Sequence, residues 1–328
     1  MQFDVHNCCV VTVFSANELH VLGYSDGDIV GALDCCLEKV KRGQFVLRRS
    51  CEKDTHGPLH DIHRAAKTPY PLSYGDIRDR TESLKILIRA HASELPEKTV
   101  FSHVSAAIIH GLDPPFPEAE SAEVIRRGIS KDRPTLIIRD REVPDEERTV
   151  VGDLPVMTIR RTLLDIAYDY PLETSVPIIS AALRRGDASA DELAAEIVAG
   201  RRGCRDARLA FELADARHES AGESLCAVKF YRFGITGMVP QVDTCDSAGR
   251  WIARKDFRHE DLDVIVEFHG VGKYYLSADG PDRASAANHE RHMRLLNAGF
   301  RVFNLVWADL FRAEQFKQIK AVLTALGG

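Results

Sequence analysis

Near its C-terminal end the chain carries a stretch that admits few folds. Asp263-Val264-Ile265-Val266-Glu267-Phe268-His269 is apolar, rich in β-branched residues, and bounded by the polar Arg258-His259-Glu260-Asp261 and by Gly270. Such a run predicts a buried strand. Arg250 to Phe257 predicts its antiparallel partner. Side chains alternate faces along a strand, so Glu267 and His269 share one face. Asp256 comes from the neighbouring strand. Two carboxylates on adjacent strands, a basic side chain two residues after the second and Lys273 just beyond form a candidate site for a hard cation, Mg2+ or Mn2+, and a water. The turn decides whether they meet. A tight hairpin at His259-Glu260 would face Asp256 with Asp263 and hold the two carboxylates about four residues, roughly 13 Å, apart. A bend or bulge is what closes such a gap.

The flanking segments fit one plan. Ser220 to Phe233 predicts a helix carrying Glu223, and strands follow around Val239–Thr244, Arg250–Phe257 and Asp263–His269. Pro281 suits the first turn of a helix running to Asn297, and Ala298-Gly299 suits its end. Phe300 to Val306 predicts another strand and Ala308 to Leu326 a last helix. The order α-β-β-β-α-β-α, with Gly299-Phe300-Arg301-Val302 and Trp307-Ala308-Asp309-Leu310, resembles the PD-(D/E)XK nuclease fold, and more closely the family related to very-short-patch-repair endonucleases. The resemblance covers about the last third of the chain. It implies metal-dependent hydrolysis of DNA, with Asp256 and Glu267 holding Mg2+ or Mn2+, His269 or Lys273 orienting or deprotonating the attacking water, and Glu223 supporting the site. One position departs from the pattern: the family's Asp after Glu-x is His269 here. With a reference pKa of about 6.5, His can serve there as base or ligand. It can equally mark a site that has lost activity.

At 328 residues the chain exceeds one average domain. Its hydrophobic fraction of 45% is enough for a core, and a net charge of −6 argues against a strongly basic nucleic-acid coat. The absence of any 18-residue apolar run argues against a membrane span. Met1-Gln2-Phe3-Asp4-Val5 lacks the cationic start and long apolar core of a signal peptide. The eight cysteines, at 8, 9, 35, 36, 51, 204, 226 and 245, form neither a C-x-x-C zinc pattern nor a small-domain disulfide framework. A reducing cytoplasm is the expected compartment.

Toward the N-terminus, Ser15-Ala16-Asn17-Glu18 is a capping-box pattern opening a short helix. Ser25-Asp26-Gly27-Asp28 opens a second, read as running to about Lys41, and Gln44 to Arg48 predicts a short strand after Gly43. Helix, turn, helix, strand is the outline of a winged helix-turn-helix, whose wing would offer Arg42, Arg48 and Arg49, with Lys41, to phosphates. Asp26, Asp28, Asp34 and Glu38 on the second helix oppose DNA binding and leave a protein-contact module open. Lys53 to Tyr74 reads as a linker and Asp76 to Ser93 as a helix. Ser102-His103-Val104-Ser105-Ala106-Ala107, then His110-Gly111-Leu112, then Thr158-Ile159-Arg160-Arg161-Thr162-Leu163-Leu164-Asp165 and Ala181-Ala182-Leu183-Arg184-Arg185-Gly186, resemble the AbiE-type antitoxins of abortive-infection systems over about residues 10 to 215. The resemblance implies a DNA-binding N-terminal region and an operon-encoded partner protein, in phage defence.

Other polar residues have plainer readings. Ser102 and His103 form a nucleophile–base pair or, with no oxyanion loop or third partner apparent, an N-cap and a buried contact. Arg161 and Asp165 pair at i, i+4. His289 and His292 lie on a helix face that is solvated or reaches one ion, and Trp307 anchors the last helix to the sheet. The chain is thus expected to be an α/β (α+β) multidomain protein: a winged-helix module over 1–70, an α/β and helical domain over 71–217, and a nuclease-like domain over 218–328. The expected function is a metal-dependent DNA endonuclease. The alternatives are a catalytically inactive antitoxin-like regulator and a protein-interaction module.

Overall fold

The computed structural model describes residues 12–49, 51–65, 77–116, 121–269 and 281–327. Contacts divide the chain into two compact units, Met1–Asp169 and Tyr170–Gly328. The boundary lies well before residue 217, so the helices over 172–213 belong with the C-terminal sheet.

In the first unit, β1 (Val13–Ser15) leads into α1 (Ala16–Val21), α2 (Asp26–Leu33), β2 (Leu37–Lys41) and β3 (Gln44–Leu47). Both helices open on complete capping boxes, Ser15 with Glu18 and Ser25 with Asp28. The second helix stops at Leu33, short of the expected Lys41. Leu37 to Lys41 instead turns back at Arg42-Gly43, where Gly43 has φ 72°, and pairs antiparallel with β3. Cross-strand pairing outweighs the weak helical preference of this segment. The sheet order is β1-β3-β2, and its apolar side covers a small core of Phe14, Leu19, Ile29, Leu37, Phe45, Leu47 and Leu59. Leu59 lies on α3 (Gly57–Ala65), so the segment expected as a linker contributes a helix to this core.

Then follow α4 (Ile77–Ala92), β4 (Val100–Phe101), α5 (His103–Ile109), β5 (Ala122–Ile125), β6 (Lys131–Arg133), β7 (Leu136–Arg139), β8 (Arg148–Val151), β9 (Leu154–Met157) and α6 (Ile159–Asp169). The strands form a six-stranded mixed sheet ordered β6-β7-β5-β4-β9-β8. Its central strand β5 and helix α5 are buried along their whole lengths.

The second unit begins with α7 (Leu172–Arg185), α8 (Ala190–Ala195) and α9 (Cys204–Leu213). It continues with α10 (Ala221–Phe233), β10 (Met238–Cys245), β11 (Trp251–His259), β12 (Val264–His269), α11 (Pro281–Asn297), β13 (Arg301–Val306) and α12 (Glu314–Gly327). The expected last helix is split: Trp307–Phe311 forms a 3-10 turn before α12 starts. The sheet runs β10-β11-β12-β13, antiparallel except for the parallel β12–β13 pair. The chain is therefore mixed α/β, of α+β type, with separate sheets in separate units. No helix among the described residues is long and apolar enough to cross a membrane.

Layers of aromatic and aliphatic side chains cover this sheet. Phe257 meets Phe230 of α10 edge-on at 5.1 Å, and Phe230 meets Phe316 of α12 at 6.1 Å. Ile252, Ala253 and Ile265 pack with Leu295 of α11 and Phe300. The approach of α10 to β12 is closest at Gly222, where an added Cβ would lie 2.0 Å from Cε1 of Phe268. Gly222→Ala should therefore destabilise the second unit by about 1–3 kcal/mol from overpacking, although alanine gains roughly 1 kcal/mol of helix propensity. Both tryptophans, Trp251 and Trp307, lie in this unit, so urea unfolding followed by their fluorescence reads it. A Gly222→Ala variant more stable than wild type would show that the ring does not set this approach.

Candidate active site on the C-terminal sheet

The register of the β11–β12 hairpin builds the site. Phe257 pairs with Val266 and Arg258 with Ile265. Residues 260–263 form the connection, and the backbone N–H groups of Asp261 and Leu262 both donate to His259 Nδ1 at 3.1 Å. This wider turn replaces the tight one considered from the sequence. Continuing the register by one pair sets Asp256 opposite Glu267 instead of Asp263. The recorded ladder stops there. The next N–H, of Phe268, donates to the Asp256 carboxylate Oδ2 at 2.8 Å. A side chain thus takes a bond that the partner strand's backbone would otherwise accept.

Glu267 receives a hydrogen bond from Lys255 Nζ at 2.7 Å. Lys255 is only 4% exposed, and a buried ammonium needs such a partner. It is the functional candidate that sequence reading missed. The signal was a lysine adjacent to Asp256 in a strand otherwise expected to bury apolar side chains.

Glu223 is buried, not a solvated helix residue. It sits in the first turn of α10, capped by Ser220, and its carboxylate accepts from Ser220 Oγ at 2.7 Å, the Glu219 N–H at 2.9 Å and Gln241 Nε2 at 2.8 Å. Gln241 stands between the paired residues Pro240 and Val242 of β10 and has φ 56°, a left-handed conformation that non-glycine residues seldom adopt. Residues held this way cluster at functional sites. Burial pushes the Cys226 thiol well up, and the nearby charges of Asp256, Glu223 and Asp309 push it further, so the acids of α10, β11 and the 3-10 turn act on one buried point.

His269 is half-buried at the end of β12, with Nε2 2.9 Å from Asn304 Oδ1 of β13. Parallel pairing of Glu267 with Asn304 delivers that partner. Trp307 meets Phe268 edge-on at 5.3 Å, in keeping with an anchoring role. Lys273 lies outside the described residues.

Among the described residues, two sets of three or more donor atoms lie within 4.8 Å of one another: Cys35, Cys36, Cys51 and His56, and His103, Asp165 and Asp169. Asp256, Glu267, His289 and His292 belong to neither. In the second set Arg141 holds both acids, reaching Asp165 at 3.0 Å and Asp169 at 2.5 Å. Asp165 also keeps the expected i, i+4 pair with Arg161, at 2.9 Å. His103 bridges Ser102 Oγ at 3.0 Å and Asp169 at 2.9 Å, which supplies the third partner not apparent in the sequence. Ser102 occupies the N-cap position of α5 but makes no side-chain cap bond. Ser102 and His103 are both 0% exposed, so this row is a buried polar network without access for a substrate.

The cations expected on the wing differ among themselves. Arg42 is exposed at the β2–β3 turn. Arg48 forms a two-pronged pair with Glu38, at 2.5 and 3.1 Å. Arg49 donates to the Cys35 carbonyl at 2.5 Å, and Lys41 pairs with Glu94.

The Lys255–Glu267 pair makes substitutions at Glu267 costly in a specific way. Glu267→Ala leaves a buried ammonium without its carboxylate and should cost about 3 kcal/mol. Glu267→Gln keeps an acceptor oxygen and should cost less. Replacing the pair together, Lys255→Met with Glu267→Leu, should be close to neutral. Urea unfolding followed by tryptophan fluorescence distinguishes these outcomes, and equal losses for all three would mean that the pair carries no coupling. The chain matches no protein-family model and no curated protein sequence.

Proposed function

We propose that the C-terminal unit is a metal-dependent phosphodiester hydrolase acting on DNA, built on a PD-(D/E)XK-type core. The observation that carries this reading is the pair of contacts just beyond the β11–β12 ladder: the Asp256 carboxylate accepts the Phe268 N–H at 2.8 Å, and Glu267, one residue before Phe268, accepts from Lys255 Nζ at 2.7 Å. The element order from α10 to α12, and a sheet antiparallel except for its last pair, support the same core.

The donor set suits a hard cation. Both carboxylates offer oxygen, and one hydrogen bond does not exhaust the acceptor sites of the Glu267 carboxylate. Asp256 and Glu267 would hold Mg2+ or Mn2+, whose chemistry is to lower the pKa of a bound water and offset charge on the scissile phosphate. The remaining work falls to the chain. The Phe268 N–H fixes Asp256, and Lys255 fixes Glu267 while adding positive charge beside the phosphate position. Asn304 orients the imidazole of His269, the group that accepts the water's proton. Glu223, held by three donors, ties the first turn of α10 to Gln241 of β10.

For the N-terminal module a second reading stands beside DNA binding: contact with an operon-encoded protein. Pairing of Lys41 and Arg48 with acids favours it. So does the exposure of Val21, Leu22 and Val30 on the first two helices.

Cleavage of supercoiled plasmid by the full chain with Mg2+ or Mn2+ tests the catalytic reading. Asp256→Asn and Glu267→Gln should each lower the rate by roughly 100-fold or more, and His269→Asp should shift its pH dependence. Undiminished cleavage by the Asp256→Asn, Glu267→Gln double variant would remove this site from the mechanism. An inert wild type that gains cleavage with His269→Asp would support the inactive regulator instead.

A further inference from the structure

The first unit holds a second cluster, independent of the nuclease reading. Cys35 and Cys36 lie in the turn between α2 and β2, Cys51 follows β3, and His56 lies in the 3-10 turn Asp54–His56 that leads into α3. The Sγ atoms of Cys35, Cys36 and Cys51 stand 3.3, 3.4 and 3.3 Å from one atom, His56 Nδ1. All four donor atoms lie within 4.8 Å of one another. None of the three cysteines is in a disulfide.

Hydrogen bonding does not account for this arrangement. An imidazole nitrogen carries one proton or one lone pair, so it satisfies one thiol and not three. A cation among the four atoms satisfies all of them. Tetrahedral zinc, with bonds of about 2.3 Å to sulfur and 2.0–2.1 Å to nitrogen, sets sulfur and nitrogen roughly 3.6 Å apart, close to the separations here. Three thiolates and one imidazole are a common ligand set of structural zinc and a poor one for Mg2+ or Mn2+. His60 lies alongside, its Nε2 3.3 Å from Cys51, but outside the set of four.

The surroundings suit a closed structural site. Cys36 and His56 are buried, and Cys35 and Cys51 pack on the core that includes Leu59 of α3. The Cys36 carbonyl accepts the Arg48 N–H at 2.8 Å, and Arg49 donates to the Cys35 carbonyl. That leaves the sulfurs turned toward His56 and places a cationic side chain near a site that would carry a net charge of −1 with Zn2+ bound to three thiolates and an imidazole. We infer that Cys35, Cys36, Cys51 and His56 bind one structural Zn2+, which clips α3 to the small β-sheet of the N-terminal module. Each thiol gives its proton to solvent on binding, and no redox change is involved.

Metal-free full-length protein, titrated with Co2+ under reducing conditions, provides the test. The expected result is the intense visible absorption of tetrahedral thiolate-bound Co2+, with an endpoint of one ion per chain and bleaching by one equivalent of Zn2+. Elemental analysis of protein purified without chelator should find one zinc. Cys36→Ser, Cys51→Ser and His56→Ala should weaken Co2+ binding at least tenfold, whereas Cys204→Ser, Cys245→Ser and His60→Gln should leave it unchanged. If the ligand variants fail to fold, the wild-type spectrum and stoichiometry still decide. Absence of the tetrahedral spectrum, or a spectrum retained in the Cys36→Ser, Cys51→Ser double variant, overturns the site. So does a disulfide between Cys51 and either member of the vicinal pair in freshly purified protein.

Discussion

The second unit depends on the length of one turn. Strand side chains alternate, so a change of one residue in the β11–β12 connection would carry every side chain of β12 to the other face of the sheet. Residues 260–263 and the acceptor Nδ1 of His259 hold the connection at the length that pairs Phe257 with Val266 and Arg258 with Ile265. Beyond the Phe257–Val266 pair the ladder gives way and the Asp256 carboxylate takes the Phe268 N–H. Such local replacement of backbone pairing by a side chain opens room between strands without leaving a buried donor unsatisfied.

Close packing then supports the polar site. Phe268 points its ring at Gly222, one residue before Glu223, so the contact that seats α10 on the sheet also fixes the height of Glu223 along it. The charges are offset by nearby donors: Lys255 for Glu267, and Ser220, Glu219 and Gln241 for Glu223. Buried acids without such partners would cost several kcal/mol each. The left-handed Gln241 belongs to this accounting, because its conformation turns an amide donor toward Glu223.

The N-terminal module solves a different problem. Its core is small and its sheet has short strands, so apolar burial alone gives little stability. The Cys and His side chains gathered at one edge of that core are the kind of addition small modules use to close themselves. One ion pair closes the β2–β3 hairpin on itself, Glu38 with Arg48, and another ties it to the segment after α4, Lys41 with Glu94. Lys41 and Arg48, already matched by acids, have less charge to offer phosphates than the exposed Arg42.

By itself the sequence determined the local elements of the second unit. Apolar periodicity and the punctuation of Pro281 and Gly299 marked α10 to β13 nearly to their ends, because these are short-range signals. It also marked both N-terminal capping boxes and the Arg161–Asp165 pair, whose partners lie within one helical turn. Tertiary structure decided the rest. The β2 strand, helix α3 and the break at Trp307–Phe311 depend on what packs or pairs with them, and propensity over a few residues is too weak to outweigh that. The Asp256–Phe268 and Lys255–Glu267 contacts needed the register of β11 on β12, and the role of Lys255 needed its burial. The Cys35, Cys36, Cys51 and His56 set has no regular spacing, because its ligands come from turns brought together by the chain's return through β2 and β3. Side chains distant in sequence become neighbours only through that folding, and the chemistry of both clusters exists only in space.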